Sequence, residues 1–108
     1  MTFQQARDAG YHTHRYLSGD WEYADEDGHE HLYRDGIELT QGVITRCSYS
    51  YENGDWNYRD ENANFHLYRN GIELTKGVIA KWCHSYDNGD WRYIDEDGRR
   101  HFMLKEQA

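Results

Sequence analysis

The chain has no proline, so glycine, asparagine and aspartate must make its turns. Aliphatic residues are scarce as well. Leu, Ile and Val total 13 in 108 residues, or 16 with the three Phe, against a formal charge of −8. Few aliphatics with high net charge approach the compositional signature of disorder. Ten Tyr, four Trp and three Phe argue the other way. Each buried Tyr or Trp removes roughly 150–250 Å² from water, so aromatic rings replace the missing aliphatics and a folded, aromatic-cored domain is expected. At this length it is one domain, 1–108, with no room for a second core.

No apolar run is long enough to span a membrane. The N-terminus lacks a basic segment followed by an apolar one, so no secretory signal is visible. There are only two cysteines, Cys47 and Cys83. They read as free, buried thiols in a reducing, cytoplasmic setting. A deficit of positive charge argues against nucleic acid or an anionic membrane as direct partner, and favours a basic protein surface.

What the sequence does have is a period of 35 residues. Gly19-Asp20-Trp21 recurs as Gly54-Asp55-Trp56 and Gly89-Asp90-Trp91, each inside the phrase Tyr-x-x-Gly-Asp-Trp-x-Tyr-x-Asp-Glu or a close variant. Residues 16–50 and 51–85 are identical at 20 of 35 positions. The unit is therefore one supersecondary motif used nearly three times, over 16–50, 51–85 and 86–108. The cysteines break the period, because Trp82 stands where Cys47 would recur.

Residues 1–15 read as a short helix, with Thr2 as cap and Gly10 as stop, followed by a strand. The rest is short strands between turn dipeptides. Asn53-Gly54 and Asn88-Gly89, with Ser18-Gly19, predict two-residue hairpins that set Tyr51 opposite Trp56 and Tyr49 opposite Tyr58. That register leaves Glu52 beside Asp55, a like-charge pair that a longer loop would relieve. Asp35-Gly36 and Asn70-Gly71 predict a second hairpin, with Leu32 against Leu39 and Leu67 against Leu74, and with His31, Tyr33 and Glu38 on the other face. Acidic turns link the two hairpins: Asp25-Glu26-Asp27-Gly28, Asp60-Glu61-Asn62-Ala63 and Asp95-Glu96-Asp97-Gly98. The fold class is all-β, built of about three four-stranded antiparallel meanders. Closure with pseudo-threefold symmetry is favoured over an open meander because it removes exposed edges.

Chemistry is thinly represented. His12-x-His14, His29-x-His31 and the recurrence His31, His66, His101 lack the fourth ligand and fixed thiolate or carboxylate of a zinc site. The acidic turns lack the ligand spacing of a helix–loop–helix calcium site and read as plain β-turns. No metal or cofactor is expected. No spacing assembles nucleophile, base and oxyanion donors, so no enzyme activity is expected either.

Gly89-Asp90-Trp91-Arg92-Tyr93-Ile94-Asp95-Glu96-Asp97-Gly98 resembles the bacterial WG-type β-repeat, except that Glu22, Asn57 or Arg92 follows the Trp in place of glycine. The stretch from Asp60 to Tyr68 resembles the mannose-binding motif of bulb-type β-prism lectins, with Asp25, Asp60 and Asp95 at its Gln position and Met103 at the last Tyr. The second resemblance implies sugar binding.

The leading functional expectation is a non-enzymatic acidic binding protein: an inhibitor or immunity-type, anti-defence protein that covers a basic, nucleic-acid-handling surface. Its candidate contact residues are Asp25, Glu26, Asp27, Asp60, Glu61, Asp95, Glu96 and Asp97, with Tyr33 and Tyr68 as aromatic anchors. A carbohydrate-binding β-repeat module is the second reading. The third is a structural domain that self-assembles through an unpaired edge strand.

Overall fold

The computed structural model describes residues 1–105. Helix α1 (Phe3–Asp8) opens the chain. Thr2 and Gln5 close a capping box at its start, each side chain bonding the other's backbone N–H. Eleven strands follow in order: β1 (His12–Arg15), β2 (Trp21–Ala24), β3 (Glu30–Arg34), β4 (Ile37–Glu38), β5 (Cys47–Ser50), β6 (Trp56–Arg59), β7 (Phe65–Arg69), β8 (Ile72–Glu73), β9 (Ala80–Ser85), β10 (Trp91–Asp95) and β11 (Arg100–Met103). All pairings are antiparallel.

β1-β2-β3-β4 form one sheet. The remaining strands form a second, in the order β11-β10-β9-β7-β6-β5, with β8 on β7. β7 and β9 meet only at Phe65 and Ala80. Both paths have free ends, so the ring expected from sequence does not form among the described residues. β1 pairs with β2 in the first sheet, as β5 pairs with β6 and β9 with β10 in the second.

The second hairpins adopt the predicted register. Tyr33 lies opposite Glu38 and Tyr68 opposite Glu73. Asp35 (φ 52°) and Gly36 (φ 80°) are both left-handed, as a type I′ turn requires.

The first hairpins differ from the prediction by one residue. Ser50 lies opposite Trp56, Tyr49 opposite Asn57 and Ser48 opposite Tyr58. The loop has three residues, not two. The Tyr51 N–H donates to Asp55 O (2.9 Å), and the Gly54 N–H donates to Tyr51 O (3.0 Å). This is a type I turn closed by a left-handed glycine, here Gly54 at φ 95°. It removes the Glu52–Asp55 pairing that the shorter loop imposed. It also puts Tyr49 and Tyr51 on the face opposite Trp56 and Tyr58.

Both faces of these segments are consequently buried. On one face, Trp56 stacks on Tyr68 (4.6 Å, 11°) and Tyr58 on His66 (4.7 Å, 17°). That aromatic plate covers Leu32 of the first sheet, which is fully buried against Trp56 and Tyr58. Leu67, on the reverse face of β7, is buried in turn against Cys83 and Trp91. The matching plate of the first sheet, Trp21, Tyr23 and Tyr33, is covered by Ala6 of α1 and by Tyr11. The segments therefore stack face to face, capped at one end by the helix. The 42 Å long axis is the length expected for a helix and three strand layers at about 10 Å each.

The aspartate of each Gly-Asp-Trp phrase fastens the joints. Buried Asp20 accepts from Arg34 Nε (3.0 Å) and Nη2 (2.8 Å), and from Ser50 Oγ (2.7 Å) of the following segment. Arg34 Nη2 also donates to Gly54 O (2.8 Å). Asp55, Arg69, Ser85 and Gly89 repeat this arrangement at the next joint.

Candidate functional site

The acidic turns lie at one end of the strands. The first aspartate of each is committed to the fold. Asp25 Oδ1 accepts the backbone N–H groups of Asp27 (2.9 Å) and His29 (3.0 Å), while its Oδ2 meets His31 Nε2 (2.9 Å). His31 Nδ1 reaches Glu38 (2.9 Å). Asp60 binds His66, which also reaches Glu73, and Asp95 binds His101. The His31 hydrogen bond holds Asp25 below the usual carboxylate range. Burial alone would lower the His31 and His66 pKa values, but their paired carboxylates outweigh it and raise both.

The other turn acids are available. Glu26, Asp27, Glu61, Glu96 and Asp97 are exposed. Among the described residues, the carboxylates of Glu61, Glu96 and Asp97 have no hydrogen-bond partner, and Glu26 has a long contact from Tyr11 OH (3.3 Å). Asp25, Asp27 and His29 bring three ligand atoms within 4.8 Å of one another. The Asp25 oxygens are already engaged there, so the trio is explained as turn chemistry.

The aromatic anchors expected from sequence are elsewhere. Tyr33 is buried, stacked on Trp21 at 4.6 Å and 12°, with α1 above the same cluster. Tyr68 is half-buried against Trp56. Burial and the neighbouring Glu38 push the Tyr33 hydroxyl up to about 12. Both rings face the interior of the stack, because the first two segments bury both faces where only one was expected to be buried.

The exposed apolar groups at the acidic end are instead Val43, Ile44, Val78 and Ile79. They sit in the connections entering β5 and β9 and repeat with the period. Val43 and Ile44 line a shallow hollow with Tyr58, Asp60, Glu61 and Asn62. Ile79 immediately precedes Ala80, whose strand partner is Asp95. The signal was present in the sequence as Gly-Val-Ile after each second hairpin, but an aliphatic pair in a chain poor in aliphatics looks like core.

No protein-family model matches the chain, and neither a curated protein nor a solved structure is significantly similar to it.

The resemblances to WG-type repeats and β-prism lectins thus remain local. Among the described residues, no helix is long and apolar enough to cross a membrane. Cys47 and Cys83 are both free. Burial pushes the Cys83 thiol up to about 12, and Asn57 Nδ2 contacts its sulfur at 3.6 Å. A thiol so protonated is a poor nucleophile.

Proposed function

We propose that this is a non-enzymatic acidic binding protein whose turn-bearing end covers a basic, partly apolar surface of a partner protein. The sharpest form of the reading is an inhibitor or immunity-type protein that occupies a nucleic-acid-handling surface. The observation that carries it is the juxtaposition of exposed carboxylates with exposed aliphatics: Glu61 lines one hollow with Val43 and Ile44, and the third acidic turn starts at Asp95, paired with Ala80 next to exposed Ile79. Carboxylates steer association, while the aliphatic pairs supply apolar area to bury on contact. The first turn concentrates the most negative charge, with Asp25, Glu26 and Asp27, whereas the second has Asn62 in place of an acid and Arg99 and Arg100 flank the third.

The test uses a tagged protein and a variant carrying Glu26→Gln, Asp27→Asn, Glu61→Gln, Glu96→Gln and Asp97→Asn. These side chains are exposed, so folding is retained. Pull-downs from host lysate at low and high salt should capture a nucleic-acid-handling protein with the wild type at low salt. The variant should lose it. Capture that ignores salt, or that survives in the variant, contradicts the reading.

A further inference from the structure

A second feature lies at the opposite end of the strands. Three equivalent stretches, 14–17, 49–52 and 84–87, line a groove of about 500 Å³ that crosses all three stacked segments. Its floor is a continuous ladder of rings in edge-to-face contact. His14 meets Tyr16 at 4.5 Å, Tyr16 meets Tyr49 at 5.3 Å, and Tyr49 meets Tyr51 at 4.8 Å. Beyond them, Tyr51 meets His84 at 5.5 Å and His84 meets Tyr86 at 4.6 Å. Tyr49 is 50% exposed although it sits mid-ladder among half-buried rings. The rings are fixed from below: Tyr51 OH accepts from Asn57 Nδ2 (2.8 Å), and Tyr16 OH lies 2.6 Å from Glu22. Exposed Glu52 and Asp87 line two of the segments, and Arg15 lines the first.

We propose that this groove binds a proline-rich peptide with a basic flank, in the polyproline II conformation. Aromatic-lined grooves take such peptides because proline rings lie against tyrosine faces and the ligand is already ordered. The period of the floor fits. Polyproline II completes a turn every three residues, about 9 Å, and stacked β-layers recur at about 10 Å. Prolines one turn apart therefore meet equivalent rings on successive segments. Glu52 and Asp87, which line the groove on the second and third segments, select Lys or Arg there.

The test is calorimetric titration with an amidated peptide of eight prolines followed by two arginines. A glycine–serine peptide carrying the same arginines is the control, with chitin- and cellulose-derived hexasaccharides in parallel. The proline peptide should bind at least about tenfold more tightly than the glycine–serine peptide. NMR shift changes should centre on 14–17, 49–52 and 84–87. Tyr49→Ala should weaken binding about tenfold or more, because it is the most exposed ring at the centre of the ladder. Glu52→Gln with Asp87→Asn, both on exposed loops, should weaken it most at low salt and provides a variant with no risk to the fold. The five-substitution acidic-turn variant should bind the peptide like wild type, which separates this site from the proposed function. Equal affinity for the two peptides, shift changes confined to other residues, or oligosaccharide binding in the groove would overturn the proposal.

Discussion

The aspartate of Gly-Asp-Trp occurs three times but fastens a joint only twice, which provides an internal control. Asp55 is 4% exposed and is held by Arg69 Nη2 at 2.7 Å and Ser85 Oγ at 2.6 Å. Asp90 has no arginine, because Leu104 stands where Arg34 and Arg69 stand before it. Among the described residues, its side chain accepts from the Lys105 N–H (3.0 Å) and Asn88 Nδ2 (3.1 Å). Substituting Asp55→Asn removes the charge from a buried pair and keeps the shape. Breaking such a pair costs about 3–5 kcal/mol when the remaining charge stays buried. Arg69 is 19% exposed and keeps its bond to Gly89 O, so water relieves part of that loss. The expected cost is about 2–3 kcal/mol for Asp55→Asn and below about 1 kcal/mol for Asp90→Asn. Urea unfolding followed by tryptophan fluorescence measures both, provided the denaturant slopes agree. Adding Arg69→Met to Asp55→Asn should cost less than the sum of the singles, because the unpaired charge is gone. Equal losses at positions 55 and 90 would refute the assignment of Asp55 as an inter-segment fastener.

Stability should peak at mildly acidic pH. Burial pushes the Glu22 carboxyl up to about 7, against the Ser48 and Tyr16 hydrogen bonds that favour its ionised form. Its folded pKa exceeds its unfolded one, so stability falls as pH rises from about 4.5 to about 7. His31 and His66, also raised, contribute stability below about 6.5 that is lost as pH rises through their folded values. Asp25 and Asp60 are lowered, so their contribution is present above about 4 and lost as pH falls through their folded values. Urea midpoints should therefore be higher near pH 5 than near pH 8, and Glu22→Gln should flatten the difference; a midpoint that rises steadily to pH 8 would contradict these shifts. Leu67→Ala should cost about 2–5 kcal/mol in the same assay, because the side chain is fully buried in a joint. Ala63 holds φ 65° where the first and third turns carry Gly28 and Gly98. Ala63→Gly should accordingly stabilise by about 1 kcal/mol, and a lower melting temperature would count against it.

Much of the local structure was legible in the sequence. Asp35-Gly36 fixed a two-residue turn, and the Leu32/Leu39 pairing followed with its register intact. Thr2 was legible as the helix cap, and its side chain accepts the Gln5 N–H. The first hairpins were misread because Asn-Gly suits both a two-residue I′ turn and a three-residue loop ending on a left-handed glycine. Only the like-charge clash of Glu52 with Asp55 hinted at the longer loop. That single-residue difference moves Tyr49 and Tyr51 to the face opposite Trp56 and creates the ring ladder. Stacking in place of a ring was not legible, because the leucines of β3 and β7 look like a minor face until an aromatic plate from the next segment covers them. Tyr33 was misplaced for the same reason: the plate to which it belongs is buried by α1, and α1 carries only Ala6 as a fully buried residue.

The site of partner contact is tested most directly by hydrogen exchange on the protein alone and in complex with the captured partner. Protection should appear at 25–28, 43–46, 60–63, 78–79 and 95–98, and should disappear as salt dissociates the complex. A partner that protects other surfaces and leaves these turns exchanging as in the free protein would contradict the acidic end as the binding face.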